Sequence, residues 1–250
     1  MLATWTHDKI TQLSFDRAVP AMRYALTNAL GSKPSDACLA LALAKCALET
    51  GRWKSCHAWN WGNVKAGEKY AGMYCTFELN EVLAGKVVWF SPLGRLDGRG
   101  GKVIAEPFDD PPGHPQTRMR AHENEFAGAD AYVDFMVNGS NGRFKPAFER
   151  MKAGDAAGMV HLMAQAGYFT APESDYERGV ASINREFLGK LAGQSPDQGT
   201  SDEDMCRAIA CLAPNPESYL HTEAVVAMMG YDLRQSDLDD KNAVLNGDDT

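Results

Sequence analysis

Glu49 is the residue of this sequence whose type and position best suit acid–base chemistry. It ends a run of Ala, Leu and Cys that predicts a helix, begun by Ser35 or Asp36 and stopped by Gly51. The run is apolar on nearly every side, so we expect the helix to be buried. Poor hydration and the negative end of the helix dipole both favour the protonated carboxyl there. Glu49 is therefore a candidate general acid, and the alternative is a solvated carboxylate paired with a neighbouring base such as Lys45.

The segments around this helix predict a helical body with a small β lobe. Residues 15–30 have the spacing of an amphipathic helix. Residues 70–79 and 86–91 are rich in β-branched and aromatic types and predict a β-hairpin. A long Gly- and Pro-rich loop follows at 92–116, and the helical pattern returns over residues 120–193 in segments that end near glycines. The fold class that follows is α+β, mostly α.

The distribution of charge divides the chain into two parts. The 250 residues are 44% hydrophobic and 23% charged, which suits one large domain or one domain with an appendage. Residues 196–250 hold twelve acidic and three basic side chains, whereas residues 1–195 are close to neutral. We therefore predict a main domain over 1–195 and a short, helical, acidic C-terminal extension over 196–250, which is a candidate surface for a protein partner.

Several functional classes are disfavoured by the sequence. The net charge of −8 argues against nucleic acid as a partner. The sequence contains no run of eighteen apolar residues, so we expect no membrane span. The first twenty residues lack the basic and apolar regions of a secretory signal peptide. The six cysteines show neither a CxxC pair nor zinc-ligand spacing with histidine, so we expect no metal and no cofactor.

Four motifs follow one another along the chain in an order typical of one enzyme family. ALETGRWKS followed by NWGNVKA resembles E-[ST]-G-x-x-x-S … N-x-(F/W)-G-x-x-K, and TFE at residues 76–78 resembles T-x-E. MRAHENEFAGADAYVDFM and AGYFTAPESDYERGVASI are similar to the later helix and the closing G-Y-x-T motif, although MRAH stands where F-R-x-Y is expected. Over roughly residues 36–190 the set resembles the glucosaminidase-type peptidoglycan hydrolases, glycoside hydrolase family 73, which includes flagellar muramidase-like proteins and many phage lysins.

The resemblance implies a lysozyme-like fold and hydrolysis of β-1,4 bonds between N-acetylglucosamine and N-acetylmuramic acid in bacterial peptidoglycan. Glu49 falls on the family's proton donor. Cleavage of a glycosidic bond also needs a group that activates water or attacks the sugar, and Glu78 in the lobe matches the second carboxylate. Glu81 is a nearby alternative for that position.

Five further residues are implied to contact the substrate. Tyr168 corresponds to a tyrosine that lines the cleft near the donor acid, and Tyr176 lies at the expected cleft edge. Trp59 and Trp61 would supply faces on which sugars stack, and Asn63 an amide that hydrogen-bonds to them. For Trp61 and both tyrosines the alternative is packing in the core.

Three functional readings remain open at this stage. The first is a glycosidase, either an endo-β-N-acetylglucosaminidase or an N-acetylmuramidase. The second is a lytic transglycosylase, which needs only one acid, and the third is a cell-wall-binding or assembly protein that has lost catalysis. Since no signal peptide is recognised, we expect synthesis in the cytoplasm and action at the cell wall or periplasm after phage-type lysis, virion delivery or specialised secretion.

Overall fold

The computed structural model describes residues 3–84, 86–169 and 171–193, in which helices form one body and short strands form a lobe beside it. The helices are α1 (Phe15–Leu30), α2 (Asp36–Glu49), α3 (Glu125–Gly142), α4 (Lys145–Lys152), α5 (Ala156–Gln165) and α6 (Glu173–Gly193). The strands are β1 (Thr4–Trp5), β2 (Met73–Thr76), β3 (Leu79–Leu83), β4 (Lys86–Ser91), β5 (Gly94–Leu96), β6 (Val103–Ala105) and β7 (Arg118–Arg120).

Helix α2 occupies the centre of the body. The Ser35 hydroxyl accepts a hydrogen bond from the backbone N–H of Cys38 and so caps the first turn. Every residue from 38 to 47 is buried, and the helix packs against α6, α1 and α4. At the other end the N–H of Thr50 bonds to the Cys46 carbonyl, and Gly51 follows in the left-handed conformation with φ 54°. The predicted cap, burial and stop of this helix are confirmed.

The remaining helices share one hydrophobic core with α2. Ser14, Asn124 and Asp155 cap α1, α3 and α5 with side-chain oxygens that accept from backbone N–H groups. The helical conformation of α3 breaks near its end, where Ser140 and Asn141 have φ values of 51° and 59°. This break turns the chain sharply before α4 and brings the segment between the two helices to the edge of the lobe.

The strands form two small sheets rather than the single predicted hairpin. Strands β3, β4, β5 and β6 form an antiparallel sheet in that order, and the hairpin itself is β3–β4, with Leu79 opposite Phe90. Strand β2 instead pairs with β1 in parallel and with β7 in antiparallel orientation. The chain changes sheets at Phe77 and Glu78, because the buried Cys75 packs on the body side against Ala58 and Met119.

The fold class predicted from the sequence, α+β and mostly α with a small β lobe, is confirmed. In the part of the chain that the structure describes, no helix is both long and apolar enough to cross a membrane. Residues 196–250 lie outside the described residues, so the predicted helical extension, its boundary and its partner stay predictions.

Candidate active site

A cleft of about 690 Å³ separates the helical body from the β lobe. Its base is the end of α2 and the loop that follows, with Glu49 and Asn63 among its lining residues. One wall is the start of the lobe, including Leu79 and Glu81. The other wall comes from the end of α3 and the turn before α4, and from the segment between α5 and α6 with the start of α6. The lining residues of that second wall are Phe135, Ser140, Arg143, Phe144, Gly167, Tyr168, Phe169, Ala171 and Tyr176.

Glu49 is held at the base of the cleft by hydrogen bonds to its side chain and to its backbone. Its side chain is 18% exposed, and its Oε1 accepts a hydrogen bond from the Tyr176 hydroxyl. The Asn63 amide donates to the Glu49 carbonyl oxygen, one of the groups that a helix end leaves without an intrahelical partner. The carboxyl is therefore fixed in direction yet reachable from the cleft, as a proton donor to a bound molecule must be.

Tyr168 and Lys45 form a second hydrogen-bonded chain beside this carboxyl. The Tyr168 hydroxyl donates to the Gly62 carbonyl oxygen at 2.8 Å and accepts from Lys45 Nζ. Lys45 has no exposed surface, and its Nζ lies 3.9 Å from Glu49 Oε1. Burial lowers the pKa of Lys45, while the carboxylate of Glu49 acts in the opposite direction.

The tyrosines around Glu49 are neutral hydrogen-bond donors. Burial raises the pKa of Tyr168 and Tyr176 well above the usual value, and the negative charge of Glu49 adds to the effect. The Tyr176 ring is stacked on Phe169 with 3.8 Å between the ring centroids. This stack fixes the phenol next to the carboxyl and presents the edge of an aromatic pair to the cleft.

The two lobe carboxylates lie in different surroundings. Glu81 lines the cleft, with an oxygen 2.7 Å from Lys65 Nζ. Glu78 is exposed, accepts a hydrogen bond from the Gly100 N–H at 2.7 Å and is not among the residues that line the cleft. Glu78 lies between β2 and β3, where its carboxylate bonds to the Gly100 backbone, whereas Glu81 lies within β3.

The two predicted tryptophans offer no face to the cleft. Trp61 is fully buried and meets Trp53 edge-on, with 5.9 Å between ring centroids. Trp59 is partly buried, and the Arg17 guanidinium lies 5.7 Å from its ring centroid. Core packing, the alternative considered for Trp61, is what the structure shows for that ring. Aromatic surface in the cleft comes instead from phenylalanines such as Phe77, which stands at the unspecified position of the T-x-E motif.

Two residues of the site were missed by the sequence reasoning. Arg143 lines the cleft and donates to the Ala166 carbonyl oxygen, and Phe169 stacks on Tyr176. The break in α3 that places Arg143 depends on left-handed backbone at residues 140 and 141, for which the sequence gives only a weak Gly-Ser-Asn signal. In the described ranges no cluster of three or more His, Cys, Asp or Glu side chains is placed to hold a metal ion.

Comparison with known proteins finds similarity at the level of solved structures. No family model matches the sequence, and no curated protein matches it. The structure is similar to the crystal structure of a peptidoglycan hydrolase mutant from Sphingomonas sp. A1, with TM-score 0.46 and 19% identity, over 70% of this chain and 99% of that one. It is also similar to a C-terminally truncated glycoside hydrolase domain from Salmonella typhimurium FlgJ, with TM-score 0.41 and 16% identity, over 69% and 94% of the two chains.

Proposed function

We propose that this protein is a peptidoglycan hydrolase that cleaves β-1,4 bonds between N-acetylglucosamine and N-acetylmuramic acid, with Glu49 as the general acid. The observation that supports this most directly is the placement of Glu49. Its carboxyl ends a fully buried helix, accepts a hydrogen bond from Tyr176 and lies at the base of a cleft between two lobes. The family motifs place the proton donor at the same residue, independently of the geometry.

The reaction proceeds by proton donation to the leaving oxygen and attack on the sugar carbon. Glu49 transfers its proton to the glycosidic oxygen as the bond to the anomeric carbon breaks, and charge develops on that carbon. A water molecule then attacks the carbon and loses a proton to a second carboxylate. The alternative is that the N-acetyl group of the substrate itself attacks the carbon before water does.

Glu81, rather than Glu78, is the second carboxylate in this proposal. It faces the cleft, and the ammonium group of Lys65 fixes one of its oxygens. Glu78, which the T-x-E motif favours, is turned toward the Gly100 backbone on the outside of the lobe. The reassignment follows from the surroundings of each carboxylate, since a motif specifies position along the chain but not which side chain lines the cleft.

Substrate binding is assigned to the polar and aromatic side chains of the cleft wall. The hydroxyl of Tyr168 lies beside the acid and is the best placed group to hold an acetamido group or the attacking water. Asn63 and the stacked pair of Tyr176 and Phe169 supply an amide and an aromatic edge. Arg143 adds a cation at the rim, where a carboxylate of the lactyl group or of a stem peptide would bind.

Replacement of the proposed acid tests the function. Glu49→Gln keeps an oxygen that accepts from Tyr176, so we expect the variant to fold, with a melting temperature somewhat below the wild type because buried Lys45 loses its nearest carboxylate. Loss of the proton donor should reduce release of reducing ends from purified peptidoglycan by at least about a hundredfold. Activity close to the wild type in Glu49→Gln would refute the assignment.

The second carboxylate is tested by a matched pair of variants in the same lobe. Glu81→Gln should lower the rate of hydrolysis strongly, whereas Glu78→Gln should leave it within about twofold of the wild type, because Glu78 faces away from the cleft. Both residues are outside the hydrophobic core, so both variants should fold. The opposite order of effects would return the role to Glu78.

Transglycosylation is the outcome that product analysis separates from hydrolysis. If Glu81→Gln and Glu78→Gln both retain activity, one acid suffices, as in a lytic transglycosylase. Mass spectrometry of the released fragments then decides, since hydrolysis adds one water to each cleaved bond and formation of a 1,6-anhydro ring does not. Binding to peptidoglycan with no released fragments would instead indicate an inactive wall-binding protein.

A further inference from the structure

Lys45 is a buried amine in the middle of the core helix. It stands one turn before Glu49 on α2, and its side chain has no exposed surface. All other positions from 38 to 47 on this helix are apolar. Removal of an ammonium group from water is strongly unfavourable unless the protein supplies partners, so an apolar residue at this position would be the ordinary choice for stability.

The partners of Lys45 are all groups of the proposed active site. Its Nζ donates to the Tyr168 hydroxyl, which in turn donates to the Gly62 carbonyl oxygen at 2.8 Å. The same nitrogen lies 3.9 Å from Glu49 Oε1 and 4.8 Å from the centroid of the Tyr132 ring. Lys45 therefore joins the carboxyl at the base of the cleft to the tyrosine on its wall.

Titratable groups approach Lys45 and Glu49 from several elements. Cys46 lies on α2, Tyr132 on α3, Tyr168 between α5 and α6, and Tyr176 on α6. Burial raises the pKa of the Cys46 thiol and of all three phenols, so these groups are neutral near neutral pH. The guanidinium of Arg120, on β7, acts on Tyr168 from the far side.

We propose that Lys45 is a positioning residue that holds the Tyr168 hydroxyl beside Glu49 at the wall of the cleft. The inference depends on the proposed role of Glu49 as the acid. The Lys45 nitrogen donates to the Tyr168 hydroxyl and lies 3.9 Å from Glu49 Oε1, so it fixes the spacing between the tyrosine and the carboxyl.

The test compares two uncharged replacements in full-length protein. Lys45→Met removes both the charge and the hydrogen-bond donor, whereas Lys45→Gln removes the charge but keeps an N–H for Tyr168. With purified peptidoglycan, Lys45→Met should lower kcat/KM by at least about tenfold, because it leaves Tyr168 without a donor. Lys45→Gln should keep kcat/KM within about threefold of the wild type, because its amide still donates to the hydroxyl.

A packing control and a second readout complete the experiment. Leu41→Met changes a fully buried side chain one turn earlier on α2 without altering charge. Its kcat/KM on peptidoglycan should match that of the wild type. If the Lys45 variants do not fold, the pH midpoint of Lys45 Nζ, followed by NMR, is compared in the wild type and in Glu49→Gln. By linkage, loss of the carboxylate should lower that midpoint by at least about one unit.

The failures of the two proposals differ. An inactive Glu49→Gln together with an unchanged kcat/KM in Lys45→Met, or with equal losses in Lys45→Met and Lys45→Gln, would overturn this inference alone. An unchanged midpoint of Lys45 in Glu49→Gln would do the same. An active Glu49→Gln would overturn the proposed function itself.

Discussion

The stability of this protein should depend on pH through His122. The residue follows β7, and its backbone N–H donates to the Ala58 carbonyl oxygen at 2.9 Å. Burial, together with the positive charge of Arg120, lowers the pKa of His122 from 6.5 to about 4. Between these values the unfolded chain binds a proton that the folded protein does not, so the free energy of unfolding falls as the pH falls through this range.

The size of the effect follows from the difference between the folded and unfolded pKa values. The full difference corresponds to about 3 kcal/mol, present above the unfolded value of 6.5 and lost completely below about 4. Between about pH 7.5 and about pH 5 roughly 2 kcal/mol of this is lost. Carboxylates titrate in the same range, so the contribution of His122 is visible only as a difference between variants.

Urea unfolding of the wild type and of His122→Asn, at about pH 7.5 and about pH 5, measures that difference. The variant should gain about 2 kcal/mol relative to the wild type at the lower pH, because it has no imidazole to protonate on unfolding. The reasoning would be refuted if the free energies of unfolding of the wild type and of His122→Asn differed by the same amount at both pH values.

Two further predictions concern packing around α3 and the site. Gly128→Ala should lower the free energy of unfolding by about 3 kcal/mol in urea titrations, because the new Cβ would lie 2.1 Å from the Trp59 carbonyl oxygen. Gly189→Ala in α6 meets no atom within 4 Å and should instead raise the free energy of unfolding by up to about 1 kcal/mol. A gain at both sites would show that helix propensity outweighs the contact with the Trp59 carbonyl and would contradict the prediction for Gly128. Tyr176→Phe should lower kcat/KM on peptidoglycan about tenfold, because it removes the hydroxyl that donates to Glu49. The stack on Phe169 should keep the variant folded. An unchanged rate would show that this hydrogen bond plays no part in catalysis.

Helix α2 and the place of Glu49 were predictable because the information is local. The apolar run, the Ser35 cap and Gly51 lie within a few turns of one another, and each acts on its own neighbourhood. Burial on all sides follows from the same run. The sequence thus located the base of the cleft without knowledge of any other element.

The lobe and its carboxylates were less predictable because they depend on distant pairing. Strand β2 leaves the expected hairpin to pair with β7, more than forty residues later, and short strands carry little information about such partners. The choice between Glu78 and Glu81 depends on which carboxylate lies beside the cleft, and Glu81 is placed there by the pairing of β3 with β4. The burial of Trp61 was likewise undecided, since a tryptophan beside a glycine suits both a core and a binding surface.

The burial of α2 on every side has a consequence for how activity varies with mutation. A carboxyl at the end of a surface helix can be re-aimed by changes in one adjacent turn, but this helix is enclosed by α1, α4 and α6. Any rotation or shift that redirects Glu49 must displace side chains of those three helices as well. Substitutions far from the cleft, in residues that never meet a sugar, should therefore alter turnover whenever they change the volume of the core.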